Sequence, residues 1–285
     1  MSEHPHLSTP SRRRGGKART IVISFGLLLT WVAVAAAHDM VLKPTRYFAP
    51  VNAEVRVRVL NGTFTKSENS IARNRLADAS VVSPRGRVKL DTTEWSVRGD
   101  TSTFHIHTRD AGTYVIGAST KPNRIDQSAD DFNLYLADDG IPDVLAARKQ
   151  AGELQKPARE RYHKHVKAIL QVGDVRTDDY KKTFGYPAEL VPMENPYALA
   201  KGATLRVRTL VDGKPAANQF VQYGGMNSAD KGIEQKSVRS NAEGVASIPL
   251  SVAGTWYVKF ISMTRVQRDS VDYESKWATL TFQVR

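Results

Sequence analysis

The histidines are the residues of this 285-residue sequence whose types and spacing could hold a metal ion. The stretch AAAHDMVLKP places His38 directly after three alanines. If the chain is cleaved after Ala37, His38 gains a free α-amine, whose reference pKa is about 7.7–8.0, and this amine can chelate a metal together with the ring nitrogen Nδ1. Imidazole and amine nitrogens suit Cu(II) and Ni(II). The sequence therefore predicts a transition-metal site at His38.

His105 and His107 are the predicted further ligands of this site. They stand two residues apart in the stretch TFHIHT. Residues two apart on a β-strand point to the same face, so both imidazoles could reach one ion. A polar strand face without a ligand gives the same pattern, and that alternative stays open.

His163 and His165 are also two residues apart, but they lie in a stretch rich in helix formers. In a helix, residues two apart point to nearly opposite faces. We therefore expect these two histidines to be surface residues that do not share an ion.

An export signal is predicted upstream of His38. Basic residues between positions 12 and 19 lead into an uncharged run at 20–34, which is shorter than the roughly 20 apolar residues of a membrane span. The run ends in three alanines, which satisfy the small-residue rule for cleavage after Ala37. We expect a periplasmic or secreted protein with no membrane span after cleavage; an uncleaved amino-terminal anchor is the alternative.

Composition narrows the possible functions. The chain has no cysteine, which excludes disulfides, thiolate metal sites and a cysteine nucleophile. It also contains no nucleophile elbow, zinc-protease helix or phosphate-binding loop, so we expect no enzymatic activity. Removal of residues 1–37 lowers the net charge from +12 to +8, a surplus that suits anionic lipid or polysaccharide. No aromatic–basic module of the kind that binds nucleic acid is present.

The elements that must position the histidines are predicted to be mainly β-strands. EVRVRVLNG (54–62) and TLRVRTLVDG (204–213) both alternate apolar and basic residues and then reach an Asn-Gly or Asp-Gly turn. Short strands with regular turn signals predict β-sandwiches. The predicted strands are 54–60, 79–83, 87–90, 101–108, 113–119, 204–211, 218–223, 234–239, 245–250, 255–263 and 276–284.

A helical segment is predicted between the two β-rich halves. Residues 143–155 and 158–172 are rich in helix formers, and Gly173 follows them. The predicted organisation is a signal peptide (1–37), an amino-terminal β-sandwich (38–122), a mostly helical connecting segment (123–182) and a carboxy-terminal β-sandwich (183–285).

Several stretches together resemble a known family of exported proteins, the DUF4198 family, some of whose members have been labelled nickel-uptake proteins of the NikM type. The similarity covers nearly the whole mature chain, and its motifs are fold-level patterns. It implies a periplasmic protein whose carboxy-terminal sandwich is immunoglobulin- or transthyretin-like. The motifs are AHDMVLKP, DFNLYLADDG, RERYHKHVKAILQVGD, YPAELVPMENP, SNAEGVASIPLSVAGTWYV and DYESKWATLTF.

The leading functional hypothesis is a non-enzymatic periplasmic protein that binds or delivers copper or nickel, with an envelope protein or a metal transporter as partner. The alternative is an envelope structural or interaction module that binds a protein or a glycan without a metal. A third, by analogy with amino-terminal histidines on β-sandwiches, is a copper enzyme that oxidises polysaccharide.

Overall fold

A computed structural model describes Met1, residues 38–268 and residues 270–285. The described residues from 38 onward belong to one compact unit of the chain. The predicted signal peptide and its cleavage after Ala37 lie outside the described residues.

The described chain is mainly β, as the sequence predicts. It also contains two α-helices, α1 (Ala129–Asp138) and α2 (Pro142–Gln150). The strands are β1 (Asp39–Pro44), β2 (Phe48–Ala49), β3 (Glu54–Gly62), β4 (Leu76–Ser83), β5 (Gly86–Lys89), β6 (Trp95–Arg98), β7 (Thr101–His107), β8 (Gly112–Thr120), β9 (Asn123–Gln127), β10 (Ala158–Val172), β11 (Ala188–Pro192), β12 (Thr204–Val211), β13 (Lys214–Pro215), β14 (Phe220–Asn227), β15 (Gly232–Arg239), β16 (Val245–Pro249), β17 (Gly254–Arg268) and β18 (Val271–Val284).

These strands form three sheets. The first sheet has the order β1-β3-β7-β6. The ten-stranded sheet has the order β15-β14-β17-β18-β10-β8-β4-β5, with β2 and β9 also paired to β10. The third sheet consists of β11, β12, β13 and β16. Strands from the amino-terminal, middle and carboxy-terminal segments therefore meet in the ten-stranded sheet, and the division into two sandwich domains stays a prediction.

The prediction of a helix over residues 158–172 is wrong, because these residues form strand β10. Helix propensity is a weak preference that strand pairing overrides. β10 pairs in parallel with β18 and antiparallel with β8, and every residue from His163 to Val172 is buried. Such a segment is buried on both faces, as in the interior of a sheet.

The two helices account for part of the predicted helical segment. The Ser128 side chain caps α1 by accepting a hydrogen bond from the Asp131 backbone at 3.2 Å, and acidic residues in the first turn complement the helix dipole. Phe132 and Leu136, one turn apart, are fully buried against Tyr273 and Trp277 of β18. This contact places the helices on the ten-stranded sheet.

The main hydrophobic core lies between the sheets. Leu42 and Val57 of the first sheet, Ile169 of the ten-stranded sheet, and Leu205 and Ile248 of the third sheet are fully buried in one cluster. Each such side chain contributes roughly 1.5–3 kcal/mol of burial free energy. Among the described residues, no helix has the length and apolar character of a membrane span.

Candidate functional site

His38 lies immediately before β1, and side chains from three other parts of the chain hold it and its neighbour. Its Nε2 contacts Oε2 of Glu68, and Nζ of Lys164 donates a hydrogen bond to its carbonyl oxygen. Nζ of Lys259 pairs with Oδ2 of Asp39 at 2.7 Å. The His38 side chain remains 23% exposed. Because Glu68 engages Nε2, Nδ1 is the ring nitrogen left open to a ligand.

A buried charge cluster lies beneath His38 and consists of Asp39, Asp139, Glu160, Lys164 and Lys259. These residues come from β1, the end of α1, β10 and β17, so the cluster forms only when distant segments fold together. Glu160 is 1% exposed, and Lys164 and Lys259 are each 6% exposed. Lys259 also reaches Oδ1 of Asp139 at 3.3 Å. His38 and Asp39 are therefore anchored on buried ionic groups.

Aromatic and hydroxyl groups surround Glu160 and Lys164. The Tyr135 hydroxyl donates to Oε1 of Glu160 at 3.2 Å, and the Ser275 hydroxyl donates to the same oxygen. Nζ of Lys164 lies 4.9 Å from the centroid of the Trp277 ring. Hydroxyl donors and a cation–π contact compensate part of the cost of burying these charges.

Burial moves the pKa values of several cluster members towards neutral pH, because it disfavours the charged form of each group. It raises the pKa of Glu160 to about 7 and, against the opposing charge of Lys259, that of Asp139 to about 6. It lowers the pKa of Lys164 to about 8, although Asp39 and Asp139 act in the opposite direction. Burial also acts to lower the pKa of Lys259, but the carboxylates of Asp39 and Asp139 outweigh it and raise that pKa.

His105 and His107 lie on β7, as predicted, with the buried Ile106 between them. Nδ1 of His105 contacts Oε1 of Glu54 at 3.0 Å, and its Nε2 contacts the Ser96 hydroxyl at 2.8 Å. Both ring nitrogens of His105 are therefore engaged by protein groups. His107 lines a separate cavity of about 280 Å³.

The structure does not bring His38 together with His105 and His107. Strands β1 and β7 both run antiparallel to β3, so the start of β1 lies near the start of β7. His105 and His107 lie at the opposite end of β7. Asp39 is opposite Gly62 of β3, and His105 is opposite Arg56. Positions 56 and 62 are about 20 Å apart along a strand. The three histidines do not form one site.

No cluster of three or more histidine, aspartate or glutamate side chains in the described part of the chain is placed to hold a metal ion. The other two histidines of the described residues are His163 and His165. They lie on the strand β10 and not on a helix, so the expectation that they point to opposite faces is wrong.

The family comparison agrees with the resemblance seen in the motifs. A family model described as "Domain of unknown function (DUF4198)" matches residues 35–264. The chain belongs to the DUF4198 family. Three motifs of this DUF4198 chain converge on the buried charge cluster, because they contain Asp39, Asp139, and Glu160 with Lys164, and Lys259 directly follows a fourth motif.

Other comparisons add little to this picture. No curated protein matches the chain. A tetra-tandem repeat in the extending region of a large adhesion protein aligns at 14% identity and a TM-score of 0.21, over 86% of this chain and 49% of that one. The BSP domain of a biofilm-associated protein aligns at 10% identity and a TM-score of 0.17, over 85% of this chain and 29% of that one. The chain thus spans half or less of the length of these proteins, and the low scores support no argument about its fold or function.

The buried charge cluster was missed by the sequence analysis. Its signal was a charged residue inside an apolar strand, as Lys259 in TWYVKFIS. A lysine in such a run needs a buried partner, because an unpaired buried charge is strongly disfavoured. The partner itself could not be chosen from the sequence, since Asp39 is 220 positions away.

Proposed function

We propose that this DUF4198 protein is an exported, non-enzymatic protein that binds Cu(II) or Ni(II) at its mature amino terminus. The ligands are the α-amine and Nδ1 of His38, which become available together when the chain is cleaved after Ala37. The observation that carries the proposal is the contact between Glu68 and Nε2 of His38.

That contact is the arrangement expected of a metal-bound imidazole. Metal-ligating histidines almost always donate their second ring N–H to a carboxylate or carbonyl, which fixes the tautomer and raises ligand basicity. With the proton on Nε2 and directed at Glu68, the lone pair is on Nδ1. Nδ1 is the nitrogen that closes a chelate ring with the α-amine of the same residue.

Further contacts support a pre-organised site. Lys164 holds the His38 carbonyl, and Lys259 holds the Asp39 carboxylate through Oδ2. Oδ1 of Asp39 is buried and has no hydrogen-bond partner among the described residues, so it is the carboxylate oxygen available as a third ligand. Ligands on a fixed backbone lose less freedom when the metal binds.

The proposed ligands differ from the set predicted from the sequence, of which only His38 remains. His105 and His107 lie on β7 opposite the start of β3, whereas Asp39 lies opposite its end, so they are outside the site. An envelope protein or a metal transporter is the partner with which a periplasmic protein of this kind would exchange its ion.

A titration with a matched control tests the proposal. The exported protein, with its amino terminus verified by mass spectrometry, is titrated with Cu(II) and Ni(II) by calorimetry. His38→Ala is expected to weaken binding at least about tenfold, a loss of about 1.4 kcal/mol or more. A variant with both His105→Gln and His107→Gln is expected to bind as tightly as the unmodified protein. Equal affinity with and without the His38 side chain would refute the site.

A further inference from the structure

Strand β3 carries two arginines on the outward face of the first sheet. Its side chains alternate between full burial and exposure: Val55, Val57 and Val59 are fully buried, whereas Arg56 and Arg58 are exposed. Side chains two residues apart on a strand point to the same face, about 7 Å from each other. Because the valines enter the core, both arginines face away from it.

The neighbouring strand adds a third cation to this face. Lys43 of β1 lies directly opposite Arg58 in the antiparallel register. Like charges in this position destabilise a sheet, because their Cβ atoms are only about 5 Å apart. The pKa of Lys43 is lowered, first by burial and then by the charge of Arg58, against the opposing charge of Asp230. The repulsion between Lys43 and Arg58 is a cost to the fold that a bound anion would remove.

The protein supplies little negative charge to balance these cations. Nζ of Lys43 donates to a neutral acceptor, the Phe64 carbonyl, at 3.3 Å. Glu54 is the one acidic residue of β3. Its pKa is lowered chiefly by a hydrogen bond from His105, with the charge of Arg56 as a smaller cause. A single carboxylate, already engaged by His105, thus stands beside three cations.

The third sheet carries the same local pattern without the same concentration of charge. Strand β12 also has an Arg-Val-Arg sequence, in which Arg206 and Arg208 are exposed. Arg206 pairs with Glu194, and the residues opposite Arg208 are the apolar Val191 and Val245. The strand pattern alone therefore does not place like charges opposite each other. That arrangement is specific to the neighbours of β3.

We propose that the outward face of the first sheet binds an acidic polysaccharide, whose carboxylates pair with Lys43, Arg56 and Arg58. A guanidinium group matches a carboxylate through two parallel N–H donors. One exposed ion pair is weak in water, but several pairs along the same polymer chain reinforce one another. An open sheet face with cations on two strands therefore suits an extended polyanion better than a single small anion.

Aromatic and hydroxyl groups next to the cations suit sugar units. The rings of Phe64 and Tyr257 have centroids 5.0 Å apart, and Nζ of Lys43 lies 4.6 Å from the Phe64 centroid. Both rings are half-buried, so each keeps an apolar surface that can contact the C–H groups of a sugar. Thr103, directly opposite Arg58 on β7, adds a hydroxyl that can both donate and accept hydrogen bonds.

The same face lacks the side chains that would favour a lipid surface. Proteins that bind a bilayer insert exposed apolar side chains into it. In the described part of the first sheet, the strongly exposed large apolar residue is Val97 of β6. Val97 alternates with Ser96, and the Ser96 hydroxyl contacts His105 on the outward face. Val97 therefore points away from the proposed binding face.

This surface is separate from the metal site proposed at His38. Lys43 is four positions from Asp39 on β1, a distance of about 13 Å along the strand. Loss of the His38 side chain should leave polysaccharide binding intact. Loss of Arg56 and Arg58 should leave the binding of Cu(II) or Ni(II) intact.

The test is a titration of the exported protein with immobilised polygalacturonate, a linear polymer of carboxylated sugars, by biolayer interferometry. EDTA is present throughout, so that no metal ion bridges the protein and the polymer. Binding is expected, and it should weaken as NaCl is added, because salt screens exposed ion pairs. The double variant Arg56→Gln with Arg58→Gln is expected to bind at least about tenfold more weakly.

The matched control is the double variant Arg206→Gln with Arg208→Gln. It removes the same charge from the same strand pattern, and both of its positions are exposed like those on β3. It is expected to keep the affinity of the unmodified protein, as is His38→Ala. Dextran, an uncharged sugar polymer, is expected not to bind.

Four outcomes would overturn the proposal. The first is no binding of polygalacturonate at low salt. The second is equal weakening in the two double variants, which would assign binding to net charge and not to this face. The third is tighter binding to vesicles of phosphatidylglycerol and phosphatidylcholine than to polygalacturonate, which would assign the face to a lipid surface. The fourth is loss of polysaccharide binding in His38→Ala, which would place the polymer at the amino terminus.

Discussion

At the scale of single residues, Glu68 determines which nitrogen of His38 can meet a metal. Its carboxylate is on Nε2 and comes from the stretch after β3, whereas the carbonyl of His38 is held by β10. A histidine with one nitrogen oriented by a carboxylate differs chemically from a freely rotating surface histidine. A substitution of Glu68 alone therefore tests the orientation of the His38 ring while both proposed nitrogen ligands are kept.

Glu68→Gln is expected to weaken Cu(II) binding by about 10-fold to 100-fold, because the amide cannot accept the Nε2 proton with the strength of a carboxylate. Calorimetric titration of the exported protein measures the change. Glu194→Gln is the control, since Glu194 pairs with Arg206 on the third sheet. Equal affinities of the Glu68 variant and the unmodified protein would show that the contact does not serve a metal.

Glu160 gives the stability of the protein a pH dependence. Its pKa is raised from 4.5 to about 7 in the folded protein, chiefly by burial. Between these values the unfolded chain is ionised while the folded protein retains the proton. The contribution of Glu160 to stability therefore falls as pH rises through this window, by about 3 kcal/mol at 1.36 kcal/mol per pKa unit.

Glu160→Gln is expected to remove this penalty, because its amide oxygen still accepts from Tyr135 and Ser275 but carries no charge. The variant should gain about 3 kcal/mol of unfolding free energy, relative to the unmodified protein, between pH 4 and pH 8. Urea unfolding at the two pH values measures the gain, with pH 4 as the internal reference. A difference that stays constant with pH would contradict the buried, protonated state of Glu160.

Residue-level prediction from the sequence succeeded only where the signal is local. His105 and His107 were placed on one strand face because alternation is a local property. The partners Glu54 and Ser96, and all contacts of the buried charge cluster, depend on which strands become neighbours. Local pattern contains no information about those choices.

At the scale of elements, β10 is the strand on which the candidate metal site depends. It carries Lys164 towards His38 on one face and His163 with His165 on the other. Its helix-forming composition led to the wrong prediction for residues 158–172, because a strand buried on both faces shows no period of two. The largely apolar stretch VKAILQV after the histidines, interrupted by Lys167 and Gln171, was the evidence for a buried strand.

Leu170→Ala tests the position of β10 in the core. Leu170 is fully buried, so its truncation is expected to lower the unfolding free energy by about 2–5 kcal/mol through lost burial and a residual cavity. Urea denaturation measures the loss. Val175→Ala, at a side chain that is 55% exposed just beyond the strand, is expected to change it by less than about 0.5 kcal/mol. A similarly small effect at Leu170 would contradict the assignment of β10 to the core.

At the scale of the whole molecule, the sheet connects segments that are far apart in sequence. β10 pairs in parallel with β18, more than one hundred positions later, and Lys259 of β17 reaches Asp39 at the start of β1. The sequence predicted the mainly β class and most strands near their observed positions. It did not predict the ten-stranded sheet, because the local spacing of apolar residues does not specify which distant strands pair. The same limitation led to the proposal of one site for His38, His105 and His107.

The metal site proposed at His38 requires the free α-amine that cleavage after Ala37 would create, so blocking that amine is the strictest test. A variant with one added glutamine before His38, cyclised to pyroglutamate, keeps every side chain of the protein but leaves no free amine at or before His38. Calorimetric titration with Cu(II) is expected to show binding weakened at least about tenfold relative to the protein that begins at His38. Undiminished affinity in the pyroglutamate-blocked protein, with its amino terminus verified by mass spectrometry, would refute the His38 site.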